Sequence, residues 1–395
     1  MRLLYTVTSY PPAIGGAQYH QHMLARELSR RHDIQVVSQW DGNRTDWLLG
    51  TTVWAPSESR DYKVDGISVH RIGLSAREKR RLVPWVLLYY PLMSVALPRI
   101  AETLQSHIDP YAAGVDLVHN MRIGREGLSV ASIRAARARG VPFALTTIHH
   151  PRWTGWRYRA YLDLYRSADI VLALTDTEKA TLTGLGVRED RIHVVGMGPV
   201  LAQTEDANDF RSQHAIRGPM VLFLGQHFPY KGYRQVLRAA PEVWRRVPDA
   251  SFVFIGPPVG RSEADFAAAA DRRIHRLGTV GLEEKTSALA ACAMLCLPST
   301  QESFGGVYTE AWSFGRPVIG CAIPAVSEVI EDGVDGFLVR QEPAEIADRI
   351  VYLLQHPDEG TAMGEAGRRK VLQRFTWQRI ADRAEAAYEA ALHDL

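Results

Sequence analysis

The sequence predicts an α/β protein built from two doubly wound domains, each with a mostly parallel sheet. Apolar runs of strand length alternate with helical segments along nearly the whole chain. Its 395 residues exceed one ordinary core and fit two domains of about 150 to 200 residues each. The composition, 46% apolar and 23% charged, is typical of a folded globular chain and excludes disorder and fibrous repeats.

The first domain opens with a β-α-β unit. A strand at 3–9 leads through a loop rich in proline and glycine into a helix at 17–30 and a second strand at 34–38. Uninterrupted apolar runs then predict strands that are covered on both faces, around a helix at 127–139. These runs are Asp116-Leu-Val-His, Val141-Pro-Phe-Ala-Leu-Thr-Thr and Asp169-Ile-Val-Leu-Ala-Leu.

A loss of periodicity at 196–217 marks the domain boundary, which we place near residue 205. Thr376 caps a last Ala-rich helix. The predicted domains are therefore 1–204, 205–375 and a C-terminal helix, 376–395, that packs back on the first domain. Ligands of doubly wound sheets bind at the carboxyl ends of the strands, so two facing domains predict a site in the cleft between them. The strands expected in the second domain are 220–224, 251–255, 294–297, 317–320 and 336–339.

Charge and cysteine content narrow the function classes. The formal charge of +2 is small for this length and argues against a nucleic-acid partner bound mainly through its phosphates. The three cysteines, Cys292, Cys296 and Cys321, form an odd set in predicted core strands and indicate buried thiols in a reducing, cytoplasmic compartment. The first apolar run is too short for a signal peptide, and no 18-residue uncharged apolar stretch predicts a membrane span.

Two loops at predicted strand ends carry the candidate chemistry. In the first, Gly305-Gly306 opens a helix whose free N–H groups favour an anion by ~0.3–2 kcal/mol. Glu302 before this helix and Glu310 within it can accept hydrogen bonds from hydroxyls of different parts of one ligand, although an isolated pair would be solvated surface glutamates. In the second loop, Lys231 is one of only six lysines, and a compact ammonium suits a phosphate oxygen.

In the first domain, the glycine pair Gly15-Gly16 after the first strand can present amides to the same phosphates. The glycine fingerprint of dinucleotide binding and the P-loop pattern do not occur in the sequence. A dehydrogenase is therefore not predicted.

Together these features resemble the retaining GT-B glycosyltransferases of family four over nearly the whole chain. The resemblance implies two Rossmann-like domains with an interdomain cleft and a C-terminal crossover helix. The pieces that carry it are Gly15-Gly16, Val141-Pro with Thr147-Ile-His149, Leu224-Gly225 with Lys231-Gly232, Leu282-Glu-Glu-Lys, Pro298-Ser, Glu302 and Glu310 with seven residues between them, and Gly315-Arg-Pro317-Val.

The resemblance also implies roles for individual residues. Lys231 would bind the donor diphosphate, Glu302 would hold the donor hexose, and Glu310 would grip the ribose. His149 would meet the donor sugar from the first domain; a capping or core histidine is its alternative. The further donor-binding positions are Gly16, Gln226, Phe304, Gly305, Gly306 and Val307.

Gln226 departs from the family pattern, which usually has arginine at this position. A neutral amide cannot replace a guanidinium fork. Two compensations stay open: a protonated His227, or the helix dipole together with Lys231.

The predicted reaction moves a hexose-type sugar from a nucleoside-diphosphate sugar to an acceptor hydroxyl with retention, by same-face attack. Charge then builds on the departing diphosphate. No Asp-x-Asp pair occurs, so we predict metal independence, with the nucleotide sugar as co-substrate and no bound cofactor. A GT-B nucleotide-sugar 2-epimerase and a catalytically silent nucleotide-sugar-binding protein are the alternatives.

The acceptor would contact the first domain. Residues 77–90 are basic and then aromatic and apolar, as expected of a segment that rests on anionic lipid at the cytoplasmic membrane face. The alternative is a core helix with a charged start, which Pro84, Pro91 and Pro98 favour because they interrupt a long amphipathic face. Residues 152–159 would line an acceptor pocket or form cation–π pairs on the surface.

Overall fold

The computed structural model describes residues 1–13, 15–42, 47–122, 124–149, 153 and 155–393. They form two compact units. The first comprises Met1–Gly196 together with the last helix, which begins at Trp377, and the second comprises Met197–Thr376.

The first unit contains an eight-stranded sheet. Its strands are β1 (Arg2–Ser9), β2 (Asp33–Trp40), β3 (Arg60–Val64), β4 (Ile67–Arg71), β5 (Leu117–Met121), β6 (Phe143–Thr146), β7 (Ile170–Ala173) and β8 (Ile192–Val194). The spatial order is β3-β4-β2-β1-β5-β6-β7-β8, and only β3 runs antiparallel, to β4. The central strands are buried along their length, as their unbroken apolar sequences predict.

Helices cover this sheet. They are α1 (Gly16–Leu28), α2 (Trp47–Gly50), α3 (Ala76–Leu87), α4 (Met93–Ile108), α5 (Gly127–Arg139), α6 (Arg159–Ser167) and α7 (Asp176–Gly184), with 3-10 turns at Trp156–Tyr158 and Glu189–Arg191. The two that the sequence predicts, α1 and α5, begin within one residue of their expected starts. The strand order reverses between β1 and β5, so the carboxyl ends of these strands border the switch point of the sheet.

The second unit contains a six-stranded, wholly parallel sheet. Its strands are β9 (Met220–Leu224), β10 (Ser251–Ile255), β11 (Ile274–Gly278), β12 (Met294–Leu297), β13 (Val318–Cys321) and β14 (Gly336–Val339). They follow the order β11-β10-β9-β12-β13-β14. This is the doubly wound order with its switch point between β9 and β12.

The helices of the second unit lie before the first strand, between the strands and after the last one. They are α8 (Ala207–Gln213), α9 (Tyr233–Arg246), α10 (Ser262–Ala268), α11 (Leu282–Ala291), α12 (Gly306–Ser313), α13 (Pro324–Ser327), α14 (Pro343–Gln355) and α15 (Pro357–Lys370), with a 3-10 turn at Pro229–Lys231 and a π turn at Val371–Phe375.

The last helix, α16 (Trp377–His393), returns to the first unit. The hydroxyl of Tyr388 lies 2.8 Å from Nδ1 of His119 and 3.0 Å from the hydroxyl of Tyr5, and all three side chains are buried. At the surface, Arg31 pairs with Asp382 at 2.8 Å. The predicted α/β class with two doubly wound sheets and a C-terminal crossover helix is confirmed.

The first unit ends at Gly196, before the boundary expected near residue 205. The segment that follows is bonded to the second unit: Lys285 Nζ donates to Val200 O at 2.6 Å, and Ala202 N donates to Thr286 Oγ1 at 3.0 Å. Because this segment lacks regular structure, its loss of periodicity indicates a boundary without telling which unit holds it. In the described part of the chain, no helix has both the length and the apolar character needed to cross a membrane.

Candidate functional site

Two loops meet at the switch point of the second sheet. One follows β9 and ends at Gly232, and the other follows β12 and ends at the start of α12. Thr300 N donates to Tyr230 O at 2.9 Å, which ties one loop to the other. The side-chain amide of Gln341, just beyond β14, donates to both Tyr230 O (2.9 Å) and Pro298 O (2.7 Å). The Gln341 side chain therefore fixes the two loops relative to each other.

Gly232 is required for this close approach of the two loops. Its φ is +86°, in the left-handed region that favours glycine. A Cβ at this position would also lie only 2.7 Å from Pro298 O. The conformation places Lys231 at the end of its loop, facing the β12 loop.

Lys231 and Glu302 form an ion pair across the two loops. The distance from Lys231 Nζ to Glu302 Oε1 is 2.5 Å, and the two side chains are 20% and 10% exposed. Because little water reaches this pair, its attraction is less screened than that of a surface pair. Two residues that the sequence assigns to different parts of a ligand are thus in direct contact.

A second ion pair lies beside α12. Lys285 Nζ is 2.9 Å from Glu310 Oε1, and both side chains are largely buried. The other oxygen of Glu310, Oε2, is buried without a hydrogen-bond partner among the described residues. An orphaned carboxylate oxygen of this kind is suited to accept a hydrogen bond from a ligand hydroxyl.

The start of α12 depends on a glycine. Gly305 has φ +86°, and a Cβ there would lie 2.3 Å from the Tyr308 ring. Phe304 is buried with its ring edge-on to Phe375, and Val307 is half-buried in the first turn, so these positions have only their backbone to offer a ligand. Gly305 and Gly306 add no side chain of their own beside the first N–H groups of the helix.

Gln226 and His227 differ sharply in exposure. Gln226 is exposed at the end of β9, whereas His227 is fully buried among the rings of Phe223, Tyr233 and Phe266. Neither ring nitrogen of His227 has a hydrogen-bond partner among the described residues. Burial, with a smaller contribution from the charge of Arg276, lowers the pKa of His227 to about 4. The interpretation in which protonated His227 replaces the missing arginine is therefore wrong.

The first unit holds the two other predicted residues, Gly16 and His149. Gly16 is the first residue of α1, directly after the loop that follows β1. His149 follows β6 at the same edge of the sheet and is 4% exposed. Burial, and then the charge of Arg122, lower the pKa of His149 to about 4, so its imidazole is neutral at neutral pH.

The structure therefore groups the predicted residues by unit. Lys231, Glu302 and the residues of α12 form one cluster, and Gly16 and His149 share a sheet edge in the other unit. Sequence reasoning missed Lys285 and Gln341 as site residues; the rarity of lysine would have marked the first, and its place after a strand the second. Within the described ranges, no three His, Cys, Asp or Glu side chains are grouped so as to hold a metal ion.

Residues 77–90 form α3 and the turn after it. A capping box between Ser75 and Glu78 starts the helix, which continues past Pro84. Only Leu82 of the helix is fully buried, while Val83 and Leu87 are 44% and 75% exposed. The segment also packs on the core: Leu82 and Tyr89 belong to the buried core of the first unit, and Trp85 and Tyr90 pack against it. The core interpretation therefore fits one side of the helix, and the lipid contact of the exposed side stays a prediction.

Part of the segment 152–159, including Arg152 and Thr154, lies outside the described residues. In the part that is described, the guanidinium carbon of Arg122 lies 3.8 Å from the ring centroid of Trp153, and that of Arg159 lies 4.9 Å from the ring centroid of Trp156. The Arg159–Trp156 pair fits the predicted cation–π contact on the surface, whereas the Arg122–Trp153 pair involves a buried arginine, and the acceptor pocket stays a prediction.

A family described as "Glycosyl transferase 4-like domain" matches residues 15–198, and one described as "Glycosyl transferases group 1" matches residues 218–356. D-inositol 3-phosphate glycosyltransferase of Nocardia farcinica is 32% identical over 242 residues, which cover 57% of this chain and 53% of that protein. MMP alpha-(1->4)-mannosyltransferase of Mycolicibacterium hassiacum is 25% identical over 308 residues, covering 70% and 71%.

Spore coat protein SA of Bacillus subtilis is 28% identical over 197 residues, covering 46% of this chain and 52% of that protein. The chain thus spans about half the length of the spore coat and D-inositol 3-phosphate relatives. Among solved structures, Anabaena Alr3699/HepE in complex with UDP and glucose superimposes with a TM-score of 0.75 at 19% identity, over 99% of this chain and 100% of that one. Sucrose-phosphate synthase from Thermosynechococcus elongatus gives 0.74 at 17% identity over 100% of both chains. At these identities, the structural likeness defines the fold alone, which is GT-B.

Proposed function

This chain belongs to the group 1 glycosyltransferases, and on that basis we propose that it transfers a hexose-type sugar from a nucleoside-diphosphate sugar to an acceptor hydroxyl. One observation carries the proposal. Two lysine–glutamate pairs flank the glycine-led start of α12 at the switch point of the second sheet. Cations and helix amides suit a diphosphate, and carboxylates suit sugar hydroxyls.

In the proposed mode of binding, the Lys231 ammonium moves away from Glu302 and pairs with the donor diphosphate. Before the donor binds, the Lys231 ammonium, 2.5 Å away, balances the negative charge of the Glu302 carboxylate. Once a phosphate oxygen takes the ammonium, the Glu302 carboxylate is released to accept hydrogen bonds from the hexose. Glu310, with its orphaned Oε2, accepts from the ribose. By the resemblance, His149 also takes part in the transfer, and the backbone of Gly16 binds the donor.

The proposed chemical step breaks the anomeric C–O bond by same-face attack of the acceptor. The departing diphosphate gains negative charge, which Lys231 and the first-turn amides of α12 stabilise. The same diphosphate accepts the proton of the attacking hydroxyl, so retention needs no covalent sugar intermediate. Metal independence belongs to the proposal because the sequence has no Asp-x-Asp pair.

A screen of UDP- and GDP-linked hexoses tests the proposal. Nucleoside diphosphate release is followed with and without EDTA, and the anomer of the product is read by NMR. Lys231→Ala is expected to lose turnover, while Lys179→Ala, which removes a lysine paired with Glu189 on the surface of the first unit, retains it. An interconverted donor sugar would indicate the epimerase instead, and binding without release would indicate the silent binder.

A membrane contact is a second part of the proposal. Five of the eight large apolar side chains that are exposed in the described ranges lie around the junction of α3 and α4: Val83, Leu87, Leu92, Val95 and Trp156. Three exposed arginines, Arg77, Arg80 and Arg81, stand at the start of α3 beside them. Each basic residue near an anionic bilayer contributes about 1 kcal/mol, and the apolar side chains insert at the interface. We propose that this surface rests on anionic lipid.

Vesicle co-sedimentation distinguishes this contact from general stickiness. Wild-type protein is expected to pellet with phosphatidylglycerol vesicles and much less with phosphatidylcholine vesicles. Neutralising Arg77, Arg80 and Arg81 to glutamine should release it, whereas the same change at Arg188 and Arg368, exposed elsewhere, should not. Equal binding to both lipids, or no loss in the triple variant, would contradict the membrane contact.

A further inference from the structure

The peptide unit between Ile148 and His149 is held at both of its polar ends. Its carbonyl, Ile148 O, accepts a hydrogen bond from Arg122 Nη2 at 3.0 Å. Its N–H, that of His149, donates to Glu178 Oε1 at 2.5 Å. A cation and a carboxylate thus face opposite ends of one peptide plane.

The carboxylate of Glu178 accepts hydrogen bonds from this loop and from a residue just before its own helix. It is 5% exposed, and besides His149 N it accepts from Thr147 Oγ1 at 2.6 Å and Leu174 N at 2.8 Å. Glu178 sits in the first turn of α7, where Thr175 Oγ1 accepts from its backbone N–H at 3.0 Å. Charged hydrogen bonds to a buried acceptor are among the stronger ones in proteins.

Arg122 holds the other side of the loop. It directly follows β5, is 3% exposed, and donates from Nε to Thr147 O at 2.9 Å as well as to Ile148 O. Its guanidinium carbon lies 3.8 Å from the Trp153 ring centroid and 4.5 Å from that of Tyr161. The stacking fixes the plane of the guanidinium, which lysine at this position could not reproduce.

These contacts maintain an unfavourable backbone conformation. Ile148 has φ +39°, a region that a β-branched residue seldom adopts and that persists only where the surroundings enforce it. A flip of the peptide would turn its carbonyl toward the carboxylate and its N–H toward the guanidinium. The charges of Glu178 and Arg122 therefore both oppose the flip. Together they set the orientation of the backbone at His149.

We propose that Glu178 and Arg122 are positioning residues that lock the Ile148–His149 peptide and so aim His149 at its substrate. The inference rests on the role given to His149 in the proposed function. On this proposal, Glu178 and Arg122 contribute to the rate of sugar transfer although neither side chain contacts substrate.

A double-mutant cycle with His149→Ala tests the inference, using nucleoside diphosphate release from the donor that the screen identifies. Glu178→Gln keeps the shape but sets an amide NH₂ against at least one N–H or O–H donor. We expect it, and Arg122→Met, to lower kcat about tenfold or more with little change in donor KM. In the His149→Ala background, Glu178→Gln should lower kcat no further, because its effect passes through His149.

Thr175→Ala is the matched control. It removes the cap of the same helix and is expected to lower Tm without altering kcat, which separates positioning from stability. Equal losses from Glu178→Gln in the wild-type and His149→Ala backgrounds would overturn the inference while leaving the role of His149 intact. Near-normal transfer by His149→Ala would overturn both.

A crystal structure of each variant provides a readout that does not depend on turnover. We expect Ile148 to return to negative φ, or the peptide to flip, in Glu178→Gln and in Arg122→Met. If Ile148 keeps a φ near +39° in both variants, the two charges do not lock the peptide and the inference fails.

Discussion

Breaking the Lys285–Glu310 pair tests how the second unit holds its buried carboxylate. Lys285→Met keeps an unbranched apolar side chain of nearly the same length and removes the ammonium, which leaves Glu310, only 7% exposed, without its counter-charge. Removing one partner of a buried pair costs about 3–5 kcal/mol. Because Lys285 itself is 17% exposed, we expect the lower part of that range, about 3 kcal/mol.

A second substitution should recover most of this loss. In Lys285→Met with Glu310→Gln, the buried group is a neutral amide that needs no counter-charge. What remains lost is chiefly the bond from Lys285 Nζ to Val200 O, worth about 1 kcal/mol. Glu310→Gln alone also costs stability, because it leaves Lys285 without its counter-charge, so the expected coupling free energy between the two positions is at least about 2 kcal/mol.

Urea unfolding measures this coupling, on the transition that shifts when nucleoside diphosphate is added, because that ligand stabilises the unit it binds. Glu310→Gln alone should also weaken nucleoside diphosphate binding by roughly 10- to 150-fold, as expected for the loss of a charged hydrogen bond. Additive effects of the two substitutions, with coupling below about 0.5 kcal/mol, would refute the reasoning.

Three further predictions concern the same unit. Between pH 7 and pH 4.5, His227 should cost the wild-type protein roughly 2 kcal/mol of stability, because its folded-state pKa of about 4 lies below the usual 6.5 and stability therefore decreases as the pH is lowered. His227→Phe should not show this part of the loss, and acid unfolding measures it. Gly305→Ala should abolish donor binding in calorimetry, whereas Gly333→Ala, also at positive φ but with open space around it, should not. Gln341→Ala should raise donor KM about tenfold in steady-state assays, equivalent to the ~1.4 kcal/mol expected when two hydrogen bonds between the loops are lost.

The buried strands were the most predictable part of the fold. In the second unit, β9, β10, β12 and β14 have the bounds that the sequence indicates, because a parallel strand covered on both faces is a continuous apolar run. The edge strand β11 was missed for the converse reason. In β11, every residue is only partly buried and two of the five are His275 and Arg276, so the pattern is that of a loop. The β3–β4 hairpin at the edge of the first sheet has the same polar character.

The candidate site was predictable as a set of loops and not as a set of contacts. Doubly wound order places the segments after β9 and β12 side by side, so Lys231 and Glu302 could be named from the sequence. Their ion pair joins residues 71 positions apart, and nothing local in either loop indicates it. The burial of His227 among three aromatic rings likewise depends on where α9 and α10 pack, which periodicity does not specify.

The charge balance of the site follows from these contacts. Each lysine of the two pairs is neutralised by a glutamate, His227 is uncharged at neutral pH, and Gln226 is neutral. The four paired side chains therefore carry no net charge before a diphosphate binds. In the proposed mode of binding, donor affinity then depends on how readily Lys231 leaves Glu302, and sugar hydroxyls that bond to Glu302 compensate for that exchange. A nucleoside diphosphate without its sugar lacks that compensation, so on this proposal we expect the arrangement to favour the intact donor over the product by the free energy that Glu302 recovers.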